Sequence, residues 1–70
     1  MMPLTMARTG EMNSIKRISG KTEVKQHLEN LGFIIGTPII VIAEIGGNVI
    51  VKVKESRIAV SREMANKIMI

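Results

Sequence analysis

Seventy residues with a net charge of +4 leave room for one domain, residues 1–70, built round one modest core. The absence of cysteine excludes disulfides and thiolate metal sites, and without aspartate the only acids are six glutamates. The longest apolar run, Pro38 to Ala43, is too short to cross a bilayer, and Met1 to Thr9 lacks the apolar stretch of a signal peptide; a cytoplasmic protein with no direct membrane insertion is the expectation.

Taken in chain order, Leu4 and Met6 anchor a short extended piece that ends near Gly10. Met12 to Ile18 reads as strand one, with Ile15 and Ile18 out of period-two phase, the mark of a bulge or twist. Gly20 breaks it. Thr22 is the expected helix N-cap and Glu23 favours the positive first turn, so a helix is predicted from about 23 to 31. Val24, Leu28 and Leu31 recur at i, i+4 and i+7 and form its apolar face. Gly32 stands where a C-cap needs positive φ, Phe33 plugs the core, and Gly36 and Pro38 punctuate the corner.

The β-branched run from Ile39 to Ala43 reads as strand two. Glu44 to Asn48, with Gly46-Gly47-Asn48, is a turn. Strand three spans Val49 to Lys54, with Val49, Val51 and Val53 on one face and Ile50, Lys52 and Lys54 on the other. Glu55-Ser56 turns the chain into strand four, Arg57 to Val60. Ser61 caps a helical turn at about 62–66, and Ile68 to Ile70 forms a last strand that pairs with strand one. The predicted fold is mainly β: a small, partly open SH3-like barrel of about five strands with one short helix.

Strand two is apolar on both faces. With Ile39, Val41 and Ala43 inward, Ile40 and Ile42 point outward, and Ile50 joins them from strand three. Lys52, Lys54 and Arg57 rim this patch, a composition that suits docking to a protein partner. Cover by the helix or by the N-terminal segment, and contact within a homo-oligomer, are the competing readings. Nucleic-acid binding is a further alternative, since Lys52, Lys54, Lys16 and Arg17 could track phosphates, but a single aromatic offers little for base stacking.

The chain shows no catalytic constellation: His27 is the only histidine, and no P-loop is present. Glu23 and His27, at i and i+4 on the helix, supply two candidate ligands for Fe²⁺ or another divalent metal, fewer than a closed site needs. The expectation is therefore no required cofactor. Gly20, Gly32 and Gly36 read as structural.

The set Ile15-Ile18-Gly20, then Leu28, Leu31-Gly32-Phe33 and Gly36, then a hairpin and the segment RIAVSREMA with Ile68, resembles the FeoA family. The resemblance covers about Leu4 to Ile70. It implies an SH3-like domain of prokaryotic ferrous iron uptake that works without catalysis of its own beside FeoB, a membrane transporter with a cytoplasmic GTPase domain. It also carries an implied association with transition metal ion binding. A similar domain at the C-terminus of iron-dependent repressors keeps a peptide-binding module open as an alternative role.

Overall fold

The computed structural model describes all 70 residues, and its elements follow from four local features: a corner, a bulge and two tight turns. The strands are β1 (Met12–Ser14), β2 (Arg17–Ile18), β3 (Pro38–Ile45), β4 (Asn48–Val53), β5 (Ser56–Ser61) and β6 (Ile68–Met69). The helices are α1 (Thr22–Asn30) and α2 (Arg62–Ala65). β1, β3, β4 and β5 form one antiparallel sheet in the order β1-β3-β4-β5; β2 and β6 form a second. Together they make an SH3-like arrangement of two sheets rather than a closed barrel.

The expected first strand is two strands in two sheets. The Ile15 N–H donates to the Thr37 carbonyl and continues the pairing with β3, whereas the Lys16 N–H donates to Met69 and begins the pairing with β6. This change of sheet puts both Ile15 and Ile18 in the core, which is why they are out of phase. β6 pairs with β2 as expected, Arg17 opposite Met69. Its other edge is covered by the N-terminus, where Met2 and Ile70 exchange two backbone hydrogen bonds. Leu4 to Met6 is a 3-10 turn, not an extended piece; Leu4 is buried and Met6 is exposed.

α1 starts one residue earlier than expected. Lys21 is the N-cap and makes no side-chain cap bond, so Thr22 lies inside the helix. At the other end the Gly32 N–H donates to Glu29 and the Phe33 N–H to Leu28, the two bonds of a Schellman motif. Gly32 takes φ +106°. The motif turns Phe33 back onto Leu28, and both are fully buried. It also leaves Leu31, the C-cap, partly exposed, which corrects its expected place on the buried face.

β3 is longer than expected because the hairpin uses only Gly46 and Gly47 as its turn, both at positive φ, the geometry that matches strand twist. Glu44 is thus a strand residue. The inward faces supply Ile39 and Val41 from β3, Val49, Val51 and Val53 from β4, and Val60 from β5. With Phe33, Leu28, Ile68 and their neighbours they form a core whose buried residues are all apolar, beside the buried side-chain nitrogen of Asn13.

Candidate docking face

The outer face of the four-stranded sheet can be read row by row from its register. Met12 lies opposite Ile40, Ile40 opposite Lys52, and Lys52 opposite Arg57. The next row is Ala43, Ile50 and Ala59; the third is Ile45, Asn48 and Ser61. Ile40, Ile42 and Ile50 are half-buried, while Lys52, Lys54 and Arg57 are exposed. An open depression of about 220 Å³ is lined by Met12, Pro38, Ile40, Lys52 and Lys54. The structure thus brings Ile40, Lys52 and Lys54 together, places Ile50 in the adjoining row, and sets Arg57 at the far end of the first.

A β-bulge changes one expected position. Pairing steps from Val41 opposite Val51 to Ala43 opposite Ile50, so Ile42 is the inserted residue. Ala43 therefore shares the outer face with Ile50 and does not point inward. The same shift sends Ile45 to the outer face, where it is 65% exposed. Neither α1 nor the N-terminal turn lines the depression; β1 closes it on one side through Met12 alone.

Electrostatically the face is one-sided. The only ion pair in the chain joins Arg62 to Glu44, away from the depression. Lys52, Lys54 and Arg57 have no acidic partner, so their charge is available to an acidic one. Lys54 is held at φ +56°, the only non-glycine residue with positive φ, in the two-residue turn between β4 and β5. Arg62, engaged by Glu44, borders a smaller depression of about 110 Å³ beside Gly46 and Gly47.

Sequence reasoning missed Met12, Pro38 and Ile45. Met12 was within reach, since period two on strand one places it with Asn13 inward and Met12 outward; Ile45 depended on the bulge. It also missed Ile34 and Ile35, exposed on the corner after α1. Gly20, Gly32 and Gly36 all take positive φ. A Cβ at Gly20 would additionally press on Lys67 at 3.3 Å. Glu23 and His27 lie exposed on α1, and no group of three or more His, Cys, Asp or Glu side chains that could hold a metal ion occurs in the chain. This donor set does not fit a closed metal site within one chain. No helix is long and apolar enough to cross a membrane.

A family model for the FeoA domain matches residues 2–70. A Methanocaldococcus jannaschii protein provisionally named Fe(2+) transport protein A is 39% identical over 70 residues, 100% of this chain and 85% of that protein. A crystal structure of an iron uptake regulatory protein, FeoA, superposes with a TM-score of 0.87 at 24% identity, covering 96% of this chain and 91% of that one. Stenotrophomonas maltophilia FeoA complexed with zinc, described as a procaryotic SH3 domain protein, gives 0.83 at 20% identity over 99% of this chain and 88% of that one. A manganese-dependent transcriptional repressor gives 0.84 at 20% identity, over 94% of this chain and 38% of the repressor. At these identities the solved structures establish the fold.

Proposed function

Since the chain belongs to the FeoA domain family, we propose that it is a non-enzymatic accessory of ferrous iron uptake that docks, through the outer face of its four-stranded sheet, on the cytoplasmic GTPase domain of a FeoB transporter. The observation that carries this reading is the apolar depression at Met12 and Ile40 with unpaired Lys52 and Lys54 on its wall. Apolar contact at the centre supplies affinity, and the unpaired cations steer and orient an acidic partner surface. Binding is therefore salt-sensitive in its on-rate.

The same cations would serve a nucleic-acid ligand, but Phe33, the only aromatic, is fully buried and offers no ring for base stacking. A protein partner is the better match. Isotope-labelled protein titrated with the GTPase domain, with and without nucleotide, tests the proposal. Amide shifts centred on Met12, Ile40, Ile50 and Lys52 are expected. Shifts centred on α1, or none in any nucleotide state, would remove this face from the interaction.

A further inference from the structure

The four-stranded sheet ends on β5, and its outer edge is open. Val53 and Ser56 close the two-residue turn and bond each other. Hydrogen-bonded pairs then alternate along the ladder, so Ser56, Ile58 and Val60 bond to β4. Arg57 and Ala59 consequently aim both N–H and C=O away from the sheet, and Ser61 aims its N–H the same way. None of these groups takes part in the turn, loop and cap hydrogen bonds of the chain. All three residues are exposed.

The other edges are short or covered. β1 has only three residues and β2 only two, and β6 is covered by Met2 and Pro3. β5 has six residues, no proline, no glycine and no bulge in its pairing, with Arg57 as its sole charge. An unguarded edge of this kind is a template for another strand.

We infer that β5 pairs antiparallel with β5 of a second copy of this chain, about a two-fold axis at Ala59. The sequence Ser-Arg-Ile-Ala-Val-Ser is self-complementary in that register. Ala59 faces Ala59 of the partner as a hydrogen-bonded pair on the axis, and it is the smallest side chain of the strand's interior. Arg57 faces the partner's Ser61, so no like charges meet. Half-buried Ile58 gains the partner's Val60 as its cross-strand neighbour. This register overlaps the whole free edge from 57 to 61, and every other symmetric register shortens it. A register centred on Arg57 would also set two guanidinium groups against each other.

The pairing joins the two sheets into one of eight strands and makes the row Ala43, Ile50, Ala59 continuous across the axis. The joint is a single strand long, below the area a permanent dimer buries, so the dimer is a concentration-dependent one. The pairing uses the backbone edge of β5, whereas the proposed docking uses side chains at Met12, Ile40 and Lys52, so either can fail without the other.

Sedimentation and amide hydrogen exchange, run from micromolar to millimolar protein, decide the matter. The wild-type chain should move toward the mass of two copies as concentration rises, with new exchange protection at Arg57, Ala59 and Ser61. Ala59→Pro removes an N–H that the monomer leaves unbonded, and Ala59→Arg sets like charges on the axis. At least one of these, shown folded by its spectrum, should stay monomeric over the same range. A wild-type chain that remains monomeric at millimolar concentration overturns the inference. So does self-association that persists undiminished in a folded edge variant, or protection that appears elsewhere.

Discussion

Gly32→Ala isolates the corner that ends α1. A Cβ built at Gly32 would meet only Val53 Cγ1, at 3.7 Å, an ordinary contact. Steric crowding therefore contributes nothing, and the cost is that of the backbone at φ +106°. An L-residue in the left-handed region costs about 1–2 kcal/mol. Alanine also restricts the unfolded chain, which offsets up to about 1 kcal/mol. The expected net loss is about 1 kcal/mol, or a fall in Tm of about 4–8 °C for a domain of this size. Gly32→Asn should lose less, because asparagine tolerates positive φ better than alanine. Gly36→Ala, at φ +91° with nothing within 4 Å of the added Cβ, should lose a similar amount for the same reason. Thermal unfolding followed by circular dichroism reads all three. An unchanged Tm for Gly32→Ala would refute the argument, as would an asparagine variant no better than the alanine one.

Ile42→Lys puts a charge at the bulge on the outer face, where Ile42 is only half-buried. It should leave the fold intact and abolish binding to the GTPase domain; retained binding in the titration would exclude that position from the contact. Phe33→Ala empties the largest fully buried side chain and should cost about 3–5 kcal/mol, comparable with the whole stability of a domain this small, so the variant should be unfolded at room temperature. A cooperative thermal transition near that of wild type would contradict its central place in the core. Lys54→Asn relieves a lysine at φ +56° and should raise stability by a few tenths to about 1 kcal/mol in denaturant melts. If that lysine guides the partner, the same variant should bind more slowly at low salt, with the difference vanishing as salt is added.

Much of this architecture was legible because local chemistry and fold agree. The run from Ile39 to Ile42, the alternation from Val49 to Lys54, and Gly32 after an apolar helix face each admit one good structure. The pairing of the C-terminal strand with the first followed from the need to close an edge. The failures share a cause: the sequence period is local, whereas the change of sheet between Ile15 and Lys16 is set by two distant partners, Thr37 and Met69. A phase error at Ile15 is equally consistent with a bulge inside one strand. Leu31 fitted the helical period, but the period does not say where the helix stops. The site was half legible. The outward cations and isoleucines of strands two and three were found, whereas Met12 had to be brought opposite Ile40 by a pairing across two elements.

The bulge at Ile42 ties the proposed docking face to the rest of the fold. Uninterrupted alternation along β3 would send Ala43 and Ile45 to the core and Glu44 outward. One inserted residue exchanges those places. Ala43 moves opposite Ile50 and Ile45 opposite Asn48, which extends the outer apolar surface beyond Ile40. Glu44 moves opposite Val49, onto the face where α2 begins, and there it receives Arg62. The cost of unpairing one residue is offset twice, by the tight Gly46-Gly47 turn it brings into register and by the Glu44–Arg62 contact, although an exposed ion pair contributes at most about 1 kcal/mol. The same shift keeps the sole paired acid off the outer face of the sheet. The face is therefore left apolar and positive, the charge balance that an acidic partner requires.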